Sequence, residues 1–313
     1  MTPLRILYRG PLESCNFDCD YCPFGKVELQ QDQLDEDFAA LERFVAWAVA
    51  QPRPLAVFFT PWGEALIHEA YQQAIATLSC CAHVERVVIQ TNLSCGLSWL
   101  SEVDPASVAL WVTWHPGWTP LERLLRRCAR LRSEAIRHSV GIVGEREHFT
   151  AIVEARAALP PQTYLWINAD RHLDPPYSDA ELDWLATIDP CFPDNVAPWP
   201  SRGQPCDAGH RVITVDGGGI VRRCHFVSEP IGSLEQVDDT LAPRACPNES
   251  CRCHIGYVHL PSTGLAQLYG SGILERIPGP QWAGWGTLEA LVANGVPAAP
   301  AEPSGASGAS GAR

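Results

Sequence analysis

Apolar residues along this chain follow two alternating rhythms. Leu34, Phe38, Leu41, Val45 and Ala48 recur three and four apart, a spacing that puts one apolar stripe on an α-helix. Leu55–Thr60, Val87–Thr91 and Val108–Thr113 are continuous apolar runs instead, as expected of strands buried on both faces. Arg5–Tyr8, Ser139–Val143 and Tyr164–Asn168 read as strands too, and helical stretches fall at Tyr71–Leu78, Leu121–Leu131 and Phe149–Leu159. Buried strands separated by helices predict a parallel sheet with right-handed crossovers. Six such units fall short of the eight in a closed (β/α)8 barrel, so the expected architecture is α/β, a partial (β/α)6 barrel.

The pattern changes after the proline-rich stretch Pro190–Pro205. Val212 and Thr214 alternate into the turn Asp216-Gly217-Gly218, predicting a small C-terminal β-hairpin, with Cys206 ahead of its first strand and Cys224 ending its second. From about Leu260 little can be read beyond a short helix around Thr287–Ala293. The Pro, Ala, Gly and Ser of Val296–Arg313 cannot bury a core and predict disorder. The expected division is 1–195 for the partial barrel, 196–260 for a cysteine-rich hairpin module, and 261–313 for an extension whose tail is disordered from about 296.

Charge and composition narrow the partners. A formal charge of −13 over 313 residues argues against a general nucleic-acid binder, whose phosphate contacts need a basic surface. The arginines of 123–137 read as a solvated helix face, with an anionic docking site as the alternative. No apolar stretch approaches the roughly 20 residues that span a bilayer, and no export signal opens the chain, so a cytoplasmic protein is expected. Thirteen cysteines in such a chain favour metal over disulfides. Cys80, Cys81, Cys95, Cys128 and Cys191 lack ligand spacing and read as small apolar residues.

Cys15, Cys19 and Cys22 form a C-x3-C-x2-C run just after the first strand, with Tyr21 before the last cysteine. Three such thiolates can hold three irons of a cubane and leave the fourth open to a small molecule. Structural zinc is the competing reading; it usually takes four ligands, and no second pair with ligand spacing follows until the far end of the chain. The run resembles the signature of the radical S-adenosylmethionine (radical SAM) enzymes.

That resemblance assigns further residues. Gly63-Glu64, after the second strand, is similar to the centre of the family's Gly-Gly-Glu-Pro motif, though Trp62 and Ala65 depart from it. It implies that Glu64 meets the cosubstrate's amino group, against a structural N-cap role. Asn92 resembles the ribose contact, with a plain turn asparagine as the alternative. Ile142, two residues before Gly144, resembles the segment packed on adenine, and Tyr21 the aromatic beside it. Asn168 and Arg171, at the sixth strand's end, are placed to grip the methionine carboxylate or the substrate. His115 is the candidate catalytic residue, because histidine titrates in the range that proton transfer needs; a structural histidine is the alternative. Lys26, the one lysine, sits four residues past Cys22.

The run Cys206-x12-Gly219-x4-Cys224, followed by Cys246, Cys251 and Cys253, resembles the opening of the SPASM and shorter twitch extensions of radical SAM enzymes. Five cysteines suffice for one auxiliary [4Fe–4S] cluster held by four of the five; a zinc ribbon is the alternative. The resemblance implies an enzyme that reductively cleaves S-adenosylmethionine on a [4Fe–4S] cluster to a 5′-deoxyadenosyl radical, which abstracts a substrate hydrogen. It implies a flavodoxin- or ferredoxin-type electron donor. It leaves three readings open. The first is modification of a ribosomal peptide, which a separate leader-peptide-binding protein would assist. The second is dehydrogenation or rearrangement of a small-molecule metabolite, and the third a non-catalytic zinc- or cluster-binding scaffold.

Overall fold

The computed structural model describes residues 2–280. The expected helix at Thr287–Ala293 and the expected disorder from 296 lie outside the described residues. Six parallel strands stand side by side in chain order: β1 (Leu4–Arg9), β2 (Leu55–Phe59), β3 (Val84–Thr91), β4 (Val108–Thr113), β5 (Arg137–Val143) and β6 (Leu165–Asn168). Helices α1 (Gln31–Val49), α2 (Glu69–Ser79), α3 (Leu121–Ser133) and α4 (Phe149–Ala158) make the crossovers, and α5 (Asp179–Ile188) follows β6. Between β3 and β4 the chain crosses with only a 3-10 turn, Ser98–Glu102.

Each strand divides its side chains between two cores, as the two-residue period of a strand requires. Tyr8, Val57, Phe59, Ile89, Val112 and Ile167 face the helices. Their neighbours Leu7, Ala56, Phe58, Val88, Trp111 and Trp166 face the other way. Both sets are buried, which is why these strands read as unbroken apolar runs.

Two features depart from the sequence reading. The hairpin does not stand apart: β8 (Val212–Asp216) pairs in parallel with β1, register Arg5 with Val212, and β9 (Ile220–Arg222) and β10 (Pro230–Ser233) continue the same sheet. The result is one nine-stranded sheet with edges at β10 and β6, an α/β fold that is mostly parallel and is not a closed barrel. A separate ribbon joins β7 (Trp199–Pro200) to β11 (Ser250–Cys251). The second departure is the stretch that looked uninformative. Ile255, Tyr257, Leu260, Leu265, Tyr269 and Leu274 cover the sheet face turned away from the helices. Two short helices, His254–Tyr257 and Leu265–Tyr269, carry most of these contacts and are too brief to show a period. On α3, Arg126 and Arg130 pair with Glu122 (2.5 Å) and Glu134 (2.6 Å), so the arginine-rich surface is largely a solvated helix face.

Candidate active site at the strand ends

The loop between β1 and α1 carries Cys15, Cys19 and Cys22, and several contacts hold its shape. Ser14 and Lys26 form an antiparallel bridge that closes it. The Cys22 amide donates to the Cys19 carbonyl (3.0 Å), and Lys26 Nζ donates to the same carbonyl (2.7 Å) and to Asp18 (2.5 Å). Gly25 has φ +71°, and a Cβ there would lie 2.4 Å from Cys15 Cβ, so glycine is required on both counts. Cys15 Sγ accepts from the Phe17 amide (3.5 Å) and lies 3.9 Å from Asn92 Nδ2.

These residues fit an iron–sulfur cluster. Burial pushes the Cys19 thiol up to about 11, and neighbouring Cys22 and Cys15 push the same way. Thiols that resist ionising side by side are the donors a metal would deprotonate together. Among the described residues no three His, Cys, Asp or Glu side chains converge at single-ion spacing. A cubane holds its thiolates farther apart than one ion does.

The resemblance-based residues meet around this loop, in roles partly different from those expected. Gly63 is a close-approach glycine, since a Cβ there would lie 1.7 Å from the Ser14 carbonyl oxygen. The Glu64 carboxylate is buried and committed to the protein. It accepts from the Leu66 amide (3.1 Å), Thr91 Oγ1 (2.8 Å) and the Asn92 amide. Burial raises it to about 7 against those donors. Glu64 therefore caps the turn Ala65–Ile67, as the structural alternative foresaw, and also ties the β2 loop to the β3 loop. Asn92 donates to Asn16 Oδ1 (3.0 Å) and accepts from the Ser94 amide (2.9 Å), which binds the cysteine loop to the end of β3. Ile142 is fully buried in the helix-facing core, so its side chain is not offered to a ligand, a correction to the adenine assignment. Asn168 ends β6 exposed, its carbonyl accepting from the Gly144 amide (2.8 Å).

His115 sits inside this group. Its Nδ1 is 2.6 Å from Tyr21 Oη and 3.3 Å from Cys19 Sγ, and the two rings stack at 5.8 Å. Burial, reinforced by His148, lowers His115 to about 4, away from the near-neutral range the sequence reading gave it. The geometry positions Tyr21 and the cysteine loop.

The second thiol set lies around a small cavity lined by Cys206, Cys224, Cys246 and Cys251. Arg223 gathers it from one side, donating to the carbonyls of Ala245 and Arg244 and so tying the hairpin to the segment that bears Cys246. Gly256 gathers it from the other, because a Cβ there would lie 2.7 Å from Cys251 Sγ. Burial pushes Cys224 and Cys251 up to about 12, and the neighbouring thiols add to this. Cys253 does not line the cavity; it stands at the N-cap position of the short helix His254–Tyr257 without a side-chain capping bond, within the fields of Arg9, Arg171 and Arg276, and it pushes up the thiols of Cys224 and Cys251.

Sequence reasoning missed the bridge between the two thiol sets. Arg9, at the end of β1, donates to the Thr60 carbonyl (2.7 Å) and lies 5.3 Å over the Trp62 ring. Thr60 Oγ1 in turn is 3.1 Å from His225 Nε2, the residue after Cys224. No spacing in the chain marks these partners, which β1 and β2 bring together across the sheet.

No family model matches the chain, and no curated protein matches it by sequence. Its fold does match solved structures. The structure of anSMEcpe with bound AdoMet and a peptide aligns at 11% identity over 76% of this chain and 81% of that one, with TM-score 0.50. BtrN in complex with AdoMet and 2-DOIA aligns at 15% identity over 75% and 80% of the two chains, with a TM-score of 0.35 that carries no argument. The likeness to that AdoMet-bound anSMEcpe structure is one of fold.

Proposed function

We propose that this chain is a radical SAM enzyme whose six parallel strands form the wall of a partial (β/α)6 barrel. The observation that carries the proposal is the loop of Cys15, Cys19 and Cys22, clamped by Lys26, Asn92 and Gly25 at the C-terminal ends of a parallel sheet. Strand C-terminal ends are where α/β folds place ligands. The three cysteines would hold a [4Fe–4S] cluster with one iron free for S-adenosylmethionine. Tyr21, Gly63, Asn92 and Asn168 would shape the cosubstrate's pocket. Glu64 would do so by fixing the loops rather than by a free carboxylate. Cys206, Cys224, Cys246 and Cys251 would hold one auxiliary [4Fe–4S] cluster, leaving Cys253 spare. When bound, the first cluster with S-adenosylmethionine supplies a 5′-deoxyadenosyl radical able to take hydrogen from an unactivated carbon.

The favoured substrate is a peptide. Phe24, Trp62, Trp118 and Phe226 are exposed aromatics on loops around the two thiol sets, and Phe24 and Trp62 stack at 5.8 Å. Exposed aromatic groups of this kind serve as anchor points for a polypeptide partner. A flavodoxin- or ferredoxin-type protein would supply the electron. The deciding experiment is anaerobic reconstitution followed by iron and sulfide analysis and a dithionite-driven assay for 5′-deoxyadenosine. About eight irons per chain and slow formation of 5′-deoxyadenosine, lost in Cys19→Ala, are expected. A colourless protein with stoichiometric zinc would sink the proposal.

A further inference from the structure

The thiol of Cys19 and the ring of His115 meet, and each is held from outside that contact. The Cys19 carbonyl accepts from the Cys22 amide (3.0 Å) and from Lys26 Nζ (2.7 Å), which fixes the backbone behind the thiol. His115 stands just past β4, and its carbonyl accepts from the amides of Trp118 and Thr119 (2.9 Å each). Phe17 meets the imidazole edge-on at 5.9 Å and itself stacks on Trp118 at 5.3 Å. The Tyr21 ring lies nearly parallel to the imidazole, with 7° between the planes.

His115 Nδ1 faces two atoms at once, Tyr21 Oη at 2.6 Å and Cys19 Sγ at 3.3 Å. While Cys19 is a thiol, either the S–H or the Tyr21 O–H can donate to a bare Nδ1. A metal-bound cysteine is a thiolate, which can only accept. A thiolate held against a bare nitrogen lone pair would set two electron-rich atoms in contact, so Nδ1 must then carry the proton and donate it. Tyr21 Oη can accept as well as donate, so it can share that N–H. Cys15 is less closely served, since its Sγ meets the Phe17 amide at 3.5 Å and Asn92 Nδ2 at 3.9 Å.

We propose that His115 is a positioning residue that donates Nδ1–H to the Cys19 thiolate and so raises the reduction potential of the cluster held by Cys15, Cys19 and Cys22. The inference rests on the proposed function, which puts a [4Fe–4S] cluster on those three residues. Hydrogen bonds to ligating sulfurs help to set the potential of such a cluster. They draw off negative charge, and the reduced cluster carries one electron more than the oxidised one. An N–H donor on the sulfur therefore favours the reduced form.

The full chain carrying Cys206→Ala and Cys224→Ala, reconstituted anaerobically, isolates the first cluster for a redox titration followed by EPR. In that background His115→Phe keeps a ring and deletes the donor. It should make reduction about ten-fold less favourable at a given potential, the effect of one charge-assisted hydrogen bond. For a one-electron couple that is a downward shift of about 59 mV. His115→Asn, whose side-chain amide can donate from near the same place, should recover most of the shift. A role in packing alone would move both variants alike. Pulsed EPR of the reduced wild-type cluster should also show a histidine nitrogen coupling that His115→Phe removes. Unchanged potential in His115→Phe, equal shifts in the two variants, or a wild-type cluster without the nitrogen coupling would overturn the inference and leave the proposed function standing. A wild-type chain that takes up no iron would sink the proposed function itself, and this inference with it.

Discussion

Cys251 and Cys253 stand two apart; Cys251 lines the cavity with Cys206, Cys224 and Cys246, whereas Cys253 lies outside that lining but near enough to push up the thiols of Cys224 and Cys251. Cys246→Ala and Cys251→Ala should each cost the proposed auxiliary cluster, leaving about four irons per reconstituted chain, whereas Cys253→Ala should keep about eight. Iron analysis alongside spectroscopy of the reduced clusters reads this directly. Loss in all three variants would show that Cys253 is also a ligand. A second residue-scale test concerns Asp37, buried under the loop that leads to Cys15. Its Oδ1 accepts from the Leu12 amide (3.0 Å) and Tyr71 Oη (3.2 Å), yet burial raises it to about 6. A carboxyl raised on folding is destabilising where it must ionise, so its cost is absent below about pH 4 and complete above about pH 6. Asp37→Asn, which keeps the accepting oxygen, should gain about 1–2 kcal/mol over wild type at pH 8 and nothing near pH 4, as urea unfolding at the two pH values would show.

Among the elements, the last part of the described chain does more than its sequence suggests. Ser139 Oγ donates to the Glu275 carbonyl (2.7 Å), and the Glu275 side chain faces Arg137 (2.9 Å) and Arg86 (3.6 Å), from β5 and β3. The partners are unequally solvated, with Glu275 fully buried and Arg137 39% exposed. Glu275→Gln leaves two partly hydrated cations and should cost only about 1–2 kcal/mol. The double change Arg86→Ala and Arg137→Ala strands a buried carboxylate and should cost about 3 kcal/mol or more. Thermal unfolding of the two proteins checks the order, and equal losses would refute the asymmetry. Neither this contact nor the pairing of β8 with β1 could be read from local pattern. A parallel neighbour across some two hundred residues leaves no mark on either strand's own sequence.

For the whole molecule, the two thiol sets belong to one continuous sheet, since β8 and β9 lead from the β1 edge to Cys224. Removing metal should therefore loosen the segment around Cys246 and Cys251, whose thiols would lose their common partner, while the parallel sheet stays folded. Anaerobic chelation followed by hydrogen exchange should show lost protection there and retained protection in β2 to β5. Global unfolding on chelation would mean that the clusters sustain the core.

The sequence by itself determined the strand and helix alternation, the six parallel units and the two groups of cysteines. Each is written locally, in apolar runs, in helical spacing, or in thiols a few residues apart. Tertiary structure alone decided that Glu64 and Asn92 brace loops, that Ile142 faces the helices, and that His115 is buried beside Tyr21 and Cys19. Those outcomes depend on which strand ends become neighbours and on how deeply each group is buried. Hydrogen bonding and desolvation act between residues that only the folded sheet brings together.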